Sequence, residues 1–356
     1  KQPFTTTLGT SNYRAGVNAG NSIASGGNFN VCVGDEAGTA INTGDENVFM
    51  GFKAGRSLTT GSGNVAIGNE SLHTEDGNGK NVAIGLQSLY TLNAGADAHN
   101  TAVGYQSGKL MTTGINNTLI GGLAGDALTD GTDNVALGMQ ALTTNQRGSH
   151  NTAIGKDALL DSNPSGAADT ENTAVGYHAG RLVSTGIKNT LIGALSGDAL
   201  TSGTSNVALG WTALSTDDVG SRSVAIGTQA LASQNTVNAA NVYNVAVGFA
   251  AGESVTTGVD NVFVGGLTGQ GGSALTGGSN TLVGFNAGNP LTSGSNNMLL
   301  GHDAGVTGSP GGNFTGASNR IVLGDENISE CNIQVDWTVA SDQRDKTDFT
   351  ALDLGL

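Results

Sequence analysis

The stretch NVFMGFKAGRSLTTGSGNVAIGNESLHTEDGNGKNVAIG, residues 47–85, contains one short unit three times, with the pattern N-[VT]-x-[IVLM]-G. Copies in this stretch begin 17 residues apart, which is also the commonest spacing elsewhere in the chain. Seventeen copies begin at Asn30, Asn47, Asn64, Asn81, Asn100, Asn117, Asn134, Asn151, Asn172, Asn189, Asn206, Ser223, Asn244, Asn261, Asn280, Asn297 and Arg320. A repeat of fixed short period predicts a stacked fold in which each unit contacts its neighbours.

A second period of four copies lies over the first. Blocks of four begin at Asn30, Asn100, Asn172 and Asn244, which gives periods of 70, 72 and 72 residues. The residues NTAVGYQSGKLMTTGINNTLIGGLAGDALTDG from 100 closely match NTAVGYHAGRLVSTGIKNTLIGALSGDALTSG from 172, which indicates duplication of a four-copy block. The last copy of each block is followed by a longer connection, such as DSNPSGAADT after Leu160, which is expected to bulge outward once in four coils.

The repeat predicts an all-β fold, a parallel β-solenoid or β-roll of about seventeen 17-residue coils, each with two or three short strands. Positions two and four of the unit point to one face of a strand and position three to the other. Both faces are apolar, so both are expected to be buried. Position three can fill the coil interior. The other face needs a partner, which three chains around an axis would supply, so we predict a homotrimeric fibre.

The first and last residues of the unit, asparagine and glycine, recur in most copies and allow specific expectations about the backbone. The glycine after position four, such as Gly68, is expected to take a positive φ or to allow close approach between strands. The leading asparagine has two interpretations. It can form a ladder of side-chain amides along the stack, or it can act as a turn former.

Composition excludes several classes of function. The formal net charge is −15, with only 12% charged residues, so neither nucleic acid nor a membrane surface is an expected partner. No apolar run is long enough to be inserted in a membrane. Cys32 is expected to be a buried free thiol, and Cys331 lies far from it in the sequence. The histidines are scattered, so no cofactor or metal is predicted; they are His73, His99, His150, His178 and His302.

The N-[VT]-x-[IVLM]-G repeat resembles the left-handed parallel β-roll heads of trimeric autotransporter adhesins, and it is similar to β-roll shafts of bacteriophage tail fibres. The resemblance covers about residues 28–325. We therefore divide the chain into an N-terminal segment (1–27), a repeat shaft (28–325), a shaft end (326–340) and a last segment (341–356).

The last segment carries a second resemblance. WTVASDQRDK, residues 337–346, is similar to the start of the intramolecular chaperone domain behind endosialidases and many phage fibres, of which only the start is present here. In that family the chaperone trimerises the shaft and then cuts itself off. The resemblance implies cleavage of the Ala340–Ser341 bond, with Ser341 as nucleophile and Lys346 as general base. The shaft itself is not expected to be an enzyme.

Together these features predict a structural fibre protein that supports host attachment, located on a virion tail fibre. The expected partners are further copies of the chain, other fibre or baseplate proteins and a host surface glycan. Aromatic residues at Tyr105, Tyr177 and Phe249 could stack on sugars, although duplication and packing explain them equally well. The alternatives are a trimeric adhesin head on a bacterial surface and a glycan-binding or glycan-cleaving tailspike.

Overall fold

A computed structural model describes residues 9–164, 166, 168–236 and 241–332 of the 356-residue chain. Its strands are β1 (Tyr13–Ala15), β2 (Val31–Val33), β3 (Val48–Met50), β4 (Val65–Ile67), β5 (Val82–Ile84), β6 (Thr101–Val103), β7 (Thr118–Ile120), β8 (Val135–Leu137), β9 (Gly148–Ser149), β10 (Thr152–Ile154), β11 (Ala168–Asp169), β12 (Thr173–Val175), β13 (Thr190–Ile192), β14 (Val207–Leu209), β15 (Val224–Ile226), β16 (Val245–Val247), β17 (Val262–Val264), β18 (Thr281–Val283), β19 (Met298–Leu300) and β20 (Ile321–Leu323). The described residues contain no helix, and hence no helix that could cross a membrane.

Eighteen of these strands form one parallel sheet, in which every coil contributes one strand. Equivalent positions of successive copies pair directly: Val65 lies beside Val82, and Ile67 beside Ile84. Parallel neighbours are about 4.8 Å apart, so the stack is a rod roughly 80 Å long. The predicted all-β parallel β-solenoid is confirmed.

The solenoid contains one more coil than the motif count. Strand β1 pairs in register with β2, and Asn12 accepts a hydrogen bond from the backbone N–H of Asn30 (2.8 Å). This coil lies in the predicted N-terminal segment 1–27, where the sequence NYRAG replaces the apolar pattern. The solenoid therefore begins before residue 28.

The sequence overestimated the number of strands per coil. Each coil has one three-residue strand, and the only additional pairing between named strands in the described chain is that of β9 with β11, beside the longer connection after Leu160. The other sides of the coil are turns. In the coil of Asn47, for example, Lys53 and Gly55 both have φ of +57°, which interrupts an extended backbone.

The interior is filled by the third position of the unit. Ala66, Leu119 and Phe263 at this position are completely buried, and they pack on buried residues from the turn sides, such as Ala124 and Leu128. Burial of an apolar column within the coil supplies the main driving force for folding. The prediction that one strand face fills the coil interior is confirmed.

The glycine that ends each strand fulfils both expectations. Gly121 has φ of +138°, and a Cβ atom added there would lie 2.4 Å from the carbonyl oxygen of Gly138 in the next coil. Any side chain would therefore collide with the backbone of the neighbouring coil. This explains why glycine follows every strand of the main sheet.

Candidate self-association face

The outward face of the main sheet, formed by positions two and four of the unit, is mainly apolar along the rod, with threonine as the one frequent polar residue. In strand β8, Val135 and Leu137 are 37% and 43% exposed, while Ala136 between them is buried. Valine, threonine, isoleucine, leucine and methionine fill nearly all equivalent places. The expectation that this face is buried is not met by the described part of the chain, which leaves the face uncovered.

A column of buried asparagines holds this face in register. Asn134 donates from Nδ2 to Oδ1 of Asn117 (3.1 Å) and to the carbonyl oxygen of Gly148 (3.0 Å), and its backbone N–H donates to the same Oδ1 (3.0 Å). The left-handed backbone belongs to the preceding residue, Asp133, with φ of +57°. Of the two interpretations of the leading asparagine, the amide ladder is therefore the one observed, and these asparagines are not the turn formers.

The ladder continues past the one internal copy that lacks asparagine. Ser223 takes that place, and the side chain of Gln234 supplies the missing amide. Its Nε2 donates to Oγ of Ser223 (3.0 Å), and its Oε1 accepts from Nδ2 of Asn244 (2.9 Å). Nε2 also donates to the buried carboxylate of Asp217 (2.5 Å), whose pKa is raised by burial. Gln234 thus keeps the column of buried hydrogen bonds continuous across the level of Ser223.

Aromatic and large apolar residues recur in the place that follows each strand-ending glycine. Tyr177 and Phe249 are about half exposed and lie beside the apolar face in sequence. Two of these aromatic residues stack on histidines of the same chain: the ring of Tyr177 lies 3.7 Å from that of His178, and the ring of Phe285 lies 5.5 Å from that of His302. These contacts support the packing interpretation of the aromatic residues, and glycan binding stays a prediction.

The five histidines do not form one site. His178 lies 2.9 Å from Asp157, and His150 lies 3.0 Å from Asp169. His302 lies between two carboxylates, with Nδ1 3.1 Å from Asp303 and 3.4 Å from Asp325.

The group of His302, Asp303 and Asp325 has the composition of a metal site, and the sequence did not indicate it because Asp325 comes from the next coil. Its oxygens already have protein donors. Asn286 donates to Asp303 (2.6 Å), and hydrogen bonds from Asn327 hold the pKa of Asp325 below its ordinary value. The three side chains therefore form one hydrogen-bonded group between two coils.

The predicted catalytic residues Ser341 and Lys346, with the Ala340–Ser341 bond, lie outside the described residues. The structure therefore does not test the self-cleavage prediction.

The two cysteines both lie among the described residues, and Cys32 is the buried free thiol that the sequence predicts. Cys32 is buried in position three of its coil, and burial raises the pKa of its thiol to about 12, so the thiol stays protonated at neutral pH. Cys331 is exposed.

The fold and the outward face define a class of molecule: a repetitive parallel β-solenoid with one uncovered apolar sheet surface. No model of a known protein family matches this chain, and no curated protein matches it.

Proposed function

We propose that this chain is the shaft of a homotrimeric fibre, and that its copies associate through the outward face of the main sheet. The observation that carries the proposal is the continuous apolar face. It is about 80 Å long and about 10 Å wide, or roughly 800 Å² for each copy. A standard protein interface buries about 800 Å² on each partner, whereas monomers rarely expose apolar patches beyond a few hundred Å².

The uniform stack suits a spacer better than a catalyst. Nearly every level repeats the same strand, ladder asparagine and glycine, so duplication of the four-coil block mainly increases the length of the rod. Such a rod on a virion tail fibre would hold a receptor-binding end away from the particle, with fibre or baseplate proteins as its other partners. The adhesin head of a bacterial surface is the second candidate, because an apolar self-association face serves it equally.

The first prediction concerns the oligomeric state. The chain should have a solution mass of three times 35.4 kDa by light scattering at micromolar concentration. Lysine in place of Ile120 and Ile192, which are 36% exposed at position four, should lower the mass toward that of a monomer, because it places charges inside the interface. Lysine in place of Thr113, an exposed residue on another side of the coil, is the matched control and should leave the trimer intact.

A monomeric wild-type chain that retains its β-rich circular dichroism spectrum would overturn the proposal. Equal dissociation by the sheet-face and control variants would also contradict it, since the effect would then follow charge and not position.

The second prediction concerns maturation and uses the product of the complete reading frame. Its denatured mass should correspond to a chain that ends at Ala340. Lys346 accepts the hydroxyl proton of Ser341, the activated oxygen attacks the Ala340 carbonyl, and the peptide C–N bond breaks as the Ser341 amine takes up a proton. Water then hydrolyses the resulting ester, which frees the carboxyl group of Ala340 and restores the Ser341 hydroxyl. Ser341→Ala and Lys346→Ala should leave the product uncut, whereas Thr347→Ala, the control, should be cut normally. An uncut wild-type product would remove the chaperone from the proposal and leave the shaft.

A further inference from the structure

The strands of the main sheet have two edges that differ in chemistry. The leading edge consists of the residue before each ladder asparagine, and the trailing edge consists of the two residues after each strand-ending glycine. In the coil of β3, Glu46 lies on the leading edge and Phe52 and Lys53 on the trailing edge. Backbone hydrogen bonds stack both edges into columns along the rod: the N–H of Glu46 donates to Asn28, and that of Lys53 to Asp35.

We propose that neighbouring copies pack trailing edge against leading edge, parallel and in register, so that each residue meets the same level of the next copy. This inference rests on the proposed self-association. Suppose that the copies are related by rotation about an axis parallel to the rod, with their sheet faces toward that axis. The end of each strand in one copy then lies next to the start of the equivalent strand in the next copy. The occupant of each edge is therefore a second copy of this chain.

Charge complementarity is clearest at the level of β3. Glu46 and Lys53 have opposite charges and lie at the same level, but a three-residue strand of about 10 Å separates them within one chain. Neither makes an ion pair with another described residue, and Lys53 lies over its neighbour Phe52, with Nζ 4.7 Å from the ring centroid. Edge-to-edge packing in register would place Lys53 of one copy beside Glu46 of the next.

Two other levels carry compatible side chains on their two edges, Glu171 with His178 and Tyr243 with Phe249. Three of these four also have a partner within the chain, since Glu171 lies near Lys188, His178 near Asp157 and Tyr243 near Arg222. At each level where the leading edge carries an acid, the trailing edge carries none, although the chain has 29 acidic residues and only 14 basic ones.

A slip of one coil removes this agreement. In one direction Glu46 would face Glu36, which is already paired with Arg56, and in the other direction it would face Glu70. Asp157 on the trailing edge would also meet an acid, Glu171 for the first direction of slip and Asp133 for the second. Like charges brought together at an interface disfavour the wrong partner and fix the register. The in-register arrangement alone, among these three, places no acid beside another acid.

Disulfide trapping between copies tests the inference on the full chain. All variants carry Cys331→Ser, and Cys32 stays because it is buried and protonated. The double variant Glu46→Cys/Lys53→Cys should form covalent trimers under mild oxidation, whereas each single variant should form none. The two cysteines of one chain are too far apart to pair, because a disulfide requires Cα atoms within about 7 Å.

Glu46→Cys/Glu36→Cys and Glu46→Cys/Glu70→Cys are the register controls and should not be cross-linked. Covalent dimers or larger species in either control, but not in the Lys53 variant, would overturn the in-register arrangement. Absence of cross-links in all three, with an unoxidised mass still trimeric, would overturn the edge-to-edge packing while the proposed fibre stands. A monomeric mass would overturn the proposed function itself.

Discussion

Asn134→Ala is expected to lower the free energy of unfolding by about 3 kcal/mol or more, because one substitution removes a rung of the ladder. Asn134 donates to Asn117 and Gly148, and its Oδ1 accepts the backbone N–H and Nδ2 of Asn151, both at 3.0 Å. The alanine variant leaves buried donors and acceptors in both adjacent coils without partners, and each costs about 1–3 kcal/mol.

The matched control is Asn116→Ala, since Asn116 is exposed and makes a single side-chain bond, to Asp133 at 3.1 Å. It should change the free energy of unfolding by about 0.5 kcal/mol or less. Urea unfolding of both variants at one fixed protein concentration measures the two changes, because the proposed assembly would make the stability depend on concentration. Equal shifts for the two variants would show that the ladder contributes no more than a surface amide.

The architecture could be predicted from the sequence because the same pattern of apolar residues and glycine recurs in every copy of the unit. The apolar third position, the strand-ending glycine and the outward apolar face follow from period and alternation alone, as Ala66, Gly68 and Ile67 illustrate. The homotrimer and the cleavage at Ser341 stay predictions. The choice between ladder and turn for the asparagine needed three-dimensional contacts, since both roles favour the same residue at the same place.

Other features could not be predicted from the sequence because they depend on contacts between coils. Strand β1 has a polar sequence, and its place in the sheet is set by pairing with β2. Gln234 replaces a ladder amide from eleven residues away, and Asp325 joins His302 from the next coil. The small number of strands per coil reflects left-handed residues such as Lys53, whose side chain gives no sign of a positive φ.

One packing rule is visible in the sequence once the structure shows which positions meet. Positions three and nine of the unit share one volume inside the coil. In the coil of Asn117 they are Leu119 and Gly125, and in the next coil they are Ala136 and Leu142. Leu142 takes φ of +59°, almost the φ of +55° at Gly125, so the backbone already accepts leucine in this place. The chain therefore uses two equivalent ways of filling the same space.

Replacing the leucine–glycine arrangement at positions three and nine with the alanine–leucine arrangement is expected to change the free energy of unfolding strongly. Gly125→Leu should be destabilising by about 1–3 kcal/mol or more, because an added Cβ already lies 2.9 Å from Leu119 and 2.9 Å from Leu128. Leu119→Ala should cost about 2–5 kcal/mol through the cavity that it leaves. The double variant reproduces the pattern of the coil of Asn81, in which Ala83 and Leu89 are buried together with Leu92 in the place of Leu128, so it should lose less than half of the sum of the two single losses.

Urea unfolding of all four proteins forms a double-mutant cycle for this shared volume, in which a favourable coupling of about 2 kcal/mol is expected. The control cycle combines Leu119→Ala with Gly197→Leu, an equivalent glycine four coils away, whose own partner Leu191 stays in place. The control losses should add, because the two sites are about 19 Å apart. Additive losses in the first cycle as well would mean that the two positions fill separate spaces, and the alternation of leucine and glycine would then have another cause.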